Sequence, residues 1–219
     1  MTIRIVGCAI AISMLLAPTT SAQKRRLGPA DRTRILDARL DPSFQSSGLK
    51  KLAFLPFSNE LDYQEGALVL GETFLGQMRQ RHDEVTVLAP ADVLQAVRLN
   101  GLSDAYRTFI GNYINTDVTT TSFLEQLGTA ADVDGIIVGR IVAYSVLTDT
   151  RNLNTGLGII TLRRNKAVVG MQLRIFRASD GRELWSGLHA VEGQKNQTVI
   201  DLAKIVGDVF AQYYGRLPY

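Results

Sequence analysis

Two short segments that are apolar at almost every position constrain the fold of this chain more than any other feature. They are Lys51–Phe57 (KLAFLPF) and Ile136–Val142 (IIVGRIV). A strand with apolar side chains on both faces is typical of the buried centre of a sheet, and the β-branched residues of the second segment favour a strand further. Pro56 has no backbone N–H to donate and ends the first strand. The sequence therefore predicts a sheet with at least two buried central strands.

Segments with one apolar face at helical spacing lie between and after these strands. One helix has Pro90 in its first turn, where the missing N–H costs nothing. Another has Ser122 and Glu125 at the spacing of a capping box. A closing helix begins at Thr198, a good N-cap residue. The predicted helices are residues 66–79, 90–100, a short one within 102–118, 122–131 and the segment from 198 onward.

The last third of the chain favours antiparallel strands. Residues 169–176 alternate between apolar and polar or small side chains, as in a half-buried strand. Asp180-Gly181 is typical of a type I′ hairpin turn, so Glu183–Val191 is expected to be the return strand. Together these elements predict an α/β fold: one single-domain sandwich with a mixed sheet flanked by helices.

Residues 1–22 have the pattern of an export signal. Arg4 provides the positive region, Ile5–Leu16 is an apolar run of about a dozen residues, and small residues lead to Ala22. The run is shorter than the ~20 residues of a membrane-spanning helix. We expect cleavage after Ala22 and a periplasmic mature chain, with association with the outer membrane left open.

Composition excludes several kinds of site. With one cysteine and two histidines, the chain has too few ligands for a Cys/His zinc site and no disulfide partner for Cys8. Most of the apolar run follows Cys8, whereas a lipoprotein signal has its apolar core before the cysteine, so lipidation of Cys8 is not expected. The net charge of +3 requires no nucleic acid. We expect no metal and no cofactor.

The mature chain divides into two parts. Residues 23–48 show no sustained apolar periodicity, which predicts an extended or disordered N-terminal arm. Its basic residues Lys24, Arg25 and Arg26 are interpreted as part of a solvated terminus, with peripheral contact with an anionic membrane surface as the alternative. Residues 49–219 are expected to form the folded domain.

No catalytic motif is found in the sequence. His82 stands in a predicted helix-to-strand turn and is interpreted as a solvated residue, and His189 is interpreted as a residue on the face of the return strand. No nucleophile elbow, phosphate-binding loop or metal-binding helix pattern occurs. The chain is therefore predicted not to be an enzyme and to have no catalytic residues.

Two surfaces are candidate contacts for a partner. Arg163, Arg164 and Lys166 form a predicted basic tip between two strands, suited to an acidic or anionic partner. Tyr214 and Tyr219 lie near the carboxyl terminus, where exposed aromatic rings are typical of protein interfaces.

Four motifs, in this order and spacing, carry a resemblance to a known group. They are Leu52–Asn59 (LAFLPFSN), Leu88–Val93 (LAPADV), Ala131–Ile141 (ADVDGIIVGRI) and Leu173–Ser186 (LRIFRASDGRELWS). The chain resembles the CsgG-like and TolB amino-terminal-like bacterial envelope proteins over roughly residues 41–215.

The resemblance implies an anticodon-binding-domain-like α/β fold that serves protein–protein contact in bacterial envelopes. Members include a pore-forming curli-secretion lipoprotein and activators of peptidoglycan synthases. The pore former carries two long amphipathic hairpins and a lipidated cysteine. Here only Tyr144–Val168 resembles the first hairpin, and the segment from Ser186 to Thr198 is too short for the second.

Three functions follow as hypotheses. The leading one is an exported, non-enzymatic periplasmic accessory protein that binds an envelope partner protein. The alternative is a homo-oligomeric secretion or channel component at the outer membrane. The third is an exported hydrolase whose carboxylates converge only in the folded chain.

Overall fold

The computed structural model describes residues 33–44, 48–59, 67–155, 158–194 and 197–217. Within them, the strands are β1 (Thr33–Leu40), β2 (Lys51–Phe54), β3 (Ser58–Asn59), β4 (Thr86–Leu88), β5 (Gly135–Thr155), β6 (Gly158–Arg177) and β7 (Glu183–Gln194). The helices are α1 (Ala67–Arg81), α2 (Pro90–Leu99), α3 (Ser103–Thr116), α4 (Thr121–Ala131) and α5 (Val199–Tyr213), with a 3-10 turn at Tyr214–Arg216.

All the described strands belong to one mixed sheet. Its order is β1-β7-β6-β5-β2-β4, and β3 pairs with β5 beside this path. Strand β2 runs parallel to both β4 and β5, whereas β5, β6, β7 and β1 are successively antiparallel. The predicted α/β sandwich with a mixed sheet is confirmed.

The two apolar segments lie at the centre because the sheet is covered on both faces. Leu52 and Phe54 of β2 pack against one apolar cluster, formed with α1 and α5. Ala53 and Leu55 point the other way, into a cluster formed with α2, α3 and α4. All four side chains are fully buried. The molecule is therefore a three-layer sandwich, with helices on each side of the sheet.

Strand β1 shows that the folded part of the chain begins earlier than the predicted Leu49. It pairs antiparallel with β7 from Thr33↔Val191 to Leu40↔Trp185, with a bulge between Ile35 and Asp37. The sheet therefore includes residues that sequence analysis assigned to the 23–48 arm, and it begins before Leu49. The expected export signal, with Ala22 and Cys8, lies outside the described residues.

The ends of the helices test the predicted caps. Thr198 caps α5 as predicted, since its hydroxyl accepts the N–H of Asp201 at 3.2 Å and the Asp201 side chain binds back to Thr198 N. Pro90 occupies the first turn of α2, also as predicted. The capping box at Ser122 is wrong: α4 begins at Thr121 after Thr120, with no side-chain cap.

The turn between β6 and β7 is longer than the predicted type I′ turn. Arg177 N donates to Arg182 O at 2.8 Å, and Gly181 N donates to Arg177 O at 2.9 Å. Gly181 has φ +64°, but Asp180 has no positive φ, so a type I′ turn is excluded. The added residues bring the turn against α4, where a Cβ on Gly181 would lie 2.7 Å from Thr121.

His189 is buried within β7, which confirms its interpretation as a residue of the strand face. Its side chain is 0% exposed, and its ring centroid lies 6.1 Å from that of Trp185. Burial disfavours the charged imidazolium and lowers the pKa of His189 from 6.5 to about 4.

We expect this histidine to make the fold sensitive to acid. Between pH 6.5 and pH 4 the unfolded chain binds the His189 proton and the folded chain does not, so the free energy of unfolding falls as pH falls. The loss attributable to His189 approaches about 3 kcal/mol at the acid end.

Urea denaturation of the native chain and of His189→Gln, at several pH values in this window, measures that contribution. The variant should lose less stability on acidification, even if it is less stable at pH 7.5. Parallel curves for the two proteins would contradict the assignment.

Candidate functional site

The hairpin of β5 and β6 extends beyond the rest of the sheet. The two strands pair from Gly135↔Arg177 to Thr155↔Gly158. Strands β2 and β3 pair with β5 no further than Ile141, and β7 pairs with β6 no further than Lys166. Among the described strands, Thr148–Thr155 and Gly158–Asn165 therefore pair only with each other. We call these two segments the ribbon; at ~3.4 Å per residue, about eight residues reach about 27 Å.

The β5 half of the ribbon is hydrophilic in sequence. Alternate residues of a strand belong to opposite faces. In β5 one alternating set is Thr, Thr, Asn and Asn, and the other begins with Asp149 and Arg151. Neither β5 set forms an apolar stripe, whereas the β6 half contains Ile159, Ile160 and Leu162. The ribbon therefore has both polar and apolar residues to offer a partner.

The predicted basic tip is wrong, because the three basic residues lie inside β6. Arg163 is paired with Thr150, Arg164 with Asp149, and Lys166 with Leu147. The chain reverses between Thr155 and Gly158 instead. The polar residues of 148–155 continue β5 and lengthen the hairpin.

At the base of the hairpin, two arginines of the sheet share a carboxylate from the end of α3. Arg174 Nη2 donates to Asp117 Oδ2 at 2.5 Å, and Arg140 Nη2 lies 3.3 Å from Asp117 Oδ1. Arg174 Nη1 also lies 3.3 Å from Glu183 Oε2. The arginine side chains are only 12% and 9% exposed, so these pairs hold buried charges in place.

An aromatic ring completes this base cluster, which we define as Tyr113, Asp117, Arg140, Arg174 and Glu183. The guanidinium carbons of the two arginines lie 5.2 and 5.3 Å from the centroid of Tyr113, within cation–π range. Arg140 Nη1 donates to the Tyr113 carbonyl at 3.0 Å. Burial raises the pKa of the Tyr113 phenol to about 12, so the phenol stays neutral.

The base cluster was missed by sequence analysis, although one signal was present. Arg140 interrupts the apolar run IIVGRIV, and a buried arginine requires a partner. Its partner, Asp117, has a left-handed backbone (φ 59°) at the C-cap of α3. Nothing in local spacing connects these two residues.

The predicted tyrosine contact is wrong for Tyr214. Its side chain is 2% exposed, and its ring lies 5.8 Å from Phe210 and 5.4 Å from His82. Burial raises its pKa above the ordinary tyrosine range. Tyr214 therefore closes the core under α5, while Tyr219 lies outside the described residues.

The prediction that His82 is a solvated turn residue is wrong. Its Nε2 lies 2.6 Å from the Ala211 carbonyl and its Nδ1 lies 2.7 Å from Glu84 Oε1. Its side chain is 16% exposed. The ring links the end of α1 to the end of α5, and its hydrogen bond holds the pKa of Glu84 below the usual value.

A depression of about 550 Å³ lies at the opposite end of the sheet from the ribbon. Its charged groups are already engaged. Asp134 accepts the backbone N–H groups of Lys50 and Lys51 at 3.0 and 2.8 Å, and Arg177 binds Asp180 and Ser43. No three His, Cys, Asp or Glu side chains in the described part of the chain converge as a metal site.

No helix in the described part of the chain is long and apolar enough to cross a membrane.

No protein-family model and no curated protein sequence matches the chain. Among solved structures, it is similar to a PelC dodecamer from Paraburkholderia phytofirmans, with 12% identity, a TM-score of 0.47, and coverage of 82% of this chain and 96% of that one. It is also similar to lipoprotein GNA1162 from Neisseria meningitidis, with 19% identity, a TM-score of 0.45, and coverage of 74% of this chain and 96% of that one. For the LpoB C-terminal domain from Salmonella enterica the identity is 14%, the TM-score 0.39, and the coverage 69% of this chain and 87% of that one. These are similarities in the path of the chain.

The base cluster predicts a large difference between two arginine substitutions. Arg174→Met removes the buried partner of Asp117 and Glu183 and should lower the free energy of unfolding by about 3 kcal/mol. Arg107→Met removes an exposed pair with Asp104, whose side chains are 79% and 91% exposed. It should cost less than about 0.5 kcal/mol.

Urea denaturation at pH 7 compares the two variants with the native chain. Equal losses for Arg174→Met and Arg107→Met would contradict a structural role for the buried charges.

Proposed function

We propose that the chain is an exported, non-enzymatic accessory protein of the bacterial cell envelope, and that it binds an envelope partner protein through the ribbon. The observation that carries the proposal is the length of the β5–β6 hairpin, which continues past every neighbouring described strand. Two strands that pair only with each other add little to the stability of the fold. Its length is better explained by contact with another molecule.

The ribbon is suited to recognition by its edges and by its charge. Both of its outer edges offer backbone N–H and C=O groups that no described strand uses, so a partner strand can add to either edge. Arg163, Arg164 and Lys166 give this part of β6 a positive charge, which favours an acidic partner surface.

The base cluster supports the same role. Arg140 on β5 and Arg174 on β6 are both fixed to Asp117, so the two strands leave the sandwich in a set orientation. A recognition element on a rigid base loses less conformational entropy on binding than a free loop does.

Residues 1–22 support export to the periplasm, with cleavage after Ala22 as part of the proposal. The resemblance of residues 41–215 to CsgG-like and TolB amino-terminal-like proteins supports a place in the envelope. Contact of Lys24, Arg25 and Arg26 with an anionic membrane surface would keep the protein near its partner.

The chemistry of the described carboxylates supports a binding role rather than hydrolysis. A general acid usually has a raised pKa. Every described carboxyl group with a shifted pKa has it lowered, by hydrogen bonds or a neighbouring cation. These groups are Asp41, Glu84, Asp132 and Asp201. Asp117 and Glu183 are held by arginines as part of the base cluster.

A homo-oligomeric secretion component at the outer membrane is the second candidate, favoured by the length of the same hairpin. Mass photometry in detergent separates the two. A ring gives masses of many chains, whereas the accessory protein gives one or two chains. Absence of any species above two chains would eliminate the ring.

A shortened hairpin tests the proposed function. Joining Leu147 to Lys166 through Asn-Gly replaces residues 148–165 with a two-residue turn and keeps the paired strands below it. This cut retains Ala167, which is fully buried. We expect the shortened chain to unfold in urea within about 0.5 kcal/mol of the native chain. It should lose its partner in crosslinking pulldowns from envelope extracts, read by mass spectrometry.

Charge reversals provide a matched pair at full hairpin length. Arg163→Glu with Arg164→Glu should weaken capture of the same partner by about tenfold or more. Arg98→Glu with Arg107→Glu makes the same change of net charge on exposed positions of α2 and α3 and should leave capture unchanged. Undiminished capture by the shortened hairpin would refute the proposal.

A further inference from the structure

Strand β1 forms an open edge of the sheet. It pairs with β7 on one side, and no described strand pairs with its other side. Two large apolar residues on it are exposed, Leu36 at 61% and Leu40 at 40%. An open edge with exposed apolar residues is a site for pairing with another strand.

The register with β7 shows which backbone groups point outward. Asp41 N donates to Leu184 O at 2.8 Å, and Leu40 is opposite Trp185. In an antiparallel ladder, hydrogen-bonding residues alternate along the strand. Asp41, Arg39 and Asp37 therefore direct their N–H and C=O groups to β7, so Ala38 and Leu40 direct theirs to the open edge.

From this edge we propose that β1 pairs antiparallel with β1 of a second copy of the chain, about a two-fold axis at Ala38. Ala38 then faces its own copy as a hydrogen-bonded pair. Asp37 faces Arg39 of the second copy, and this pair occurs twice by symmetry. The edge thus complements itself in backbone hydrogen bonding and in charge.

Charge selects this register over its neighbours. A shift of two residues in one direction places Asp37 opposite Asp37 of the second copy, and a shift in the other direction places Arg39 opposite Arg39. Like charges directly opposite each other destabilise a strand pair. A shift of one residue places a residue whose backbone groups point to the open edge opposite one whose groups bond to β7, so the hydrogen bonds of the pair are lost. In the native chain Arg39 Nε lies 3.5 Å from Asp37 Oδ2. The side chains of Asp37 and Arg39 are 58% and 78% exposed, so both are available to the second copy.

The contact is small, so the dimer is concentration-dependent. One strand pair from Leu36 to Leu40 buries less than the ~1,200 Å² of a standard stable interface. The bulge between Ile35 and Asp37 limits the pairing at one end. The same bulge and charges also discourage pairing with unrelated strands, so they give specificity to a weak contact.

Sedimentation velocity over a range of protein concentrations tests the proposal. The native chain should show a reversible monomer–dimer equilibrium. Asp37→Arg or Arg39→Asp alone places like charges opposite each other twice and should raise the dissociation constant about tenfold. The exchanged pair, Asp37→Arg with Arg39→Asp, should restore it. Asp104→Arg on α3, an exposed position outside β1, should leave it unchanged.

A cysteine at the axis gives a second readout. Ala38→Cys, with Cys8→Ser, should form a disulfide-linked dimer on mild oxidation, since paired Cα atoms at ~5.5 Å suit a disulfide. Leu99→Cys, exposed on α2, should not. A monomer at every concentration, or a dimer unaffected by the single charge changes, would overturn the proposal. The shortened hairpin keeps β1 and should dimerise normally. Partner binding by the ribbon and dimerisation through β1 can therefore be refuted independently.

Discussion

Burial of β2 and β5 on both faces is the constraint on which the rest of the structure depends. Leu52 and Phe54 need cover on one side of the sheet, and Ala53 and Leu55 need it on the other. Two helical layers provide that cover, with α1 and α5 on one face and α2, α3 and α4 on the other. The apolar sequence of β5 gives way to polar residues beyond the reach of these layers. The ribbon begins past the last residues of β5 and β6 that pair with a neighbouring described strand.

The base cluster marks this boundary. Arg140 follows the apolar core of β5 and is too buried to remain unpaired, so it requires the carboxylate of Asp117 and the ring of Tyr113. These groups come from the end of α3, which is thereby fixed to the sheet. A buried charge network contributes little net stability when compared with apolar packing, but it defines one arrangement of its members. Here the arrangement sets the direction in which the hairpin leaves the sandwich.

The fold could be predicted from sequence wherever a local residue pattern is specific to one kind of element. The unbroken apolar runs identified β2 and the core of β5, and Thr198 identified the start of α5. Strand β1 was not predicted within the 23–48 arm, because the bulge at Leu36 breaks the period of two that identifies a strand. The candidate sites depended on distant contacts: Arg174 and Asp117 are 57 positions apart, and Tyr214 is buried by His82 and α5. No local pattern contains such pairings.

The pairing of the strands makes the ribbon an appendage on a cooperative sandwich. Native-state amide hydrogen exchange of the isolated protein tests it most directly. Amides of Ile136–Ile141 and Val169–Ile175 should exchange only through global unfolding. Those of Thr148–Thr155 and Gly158–Asn165 should open at a much lower free energy, since they pair only with each other among the described strands. One common opening free energy for all four segments would make the ribbon part of the core and contradict the account.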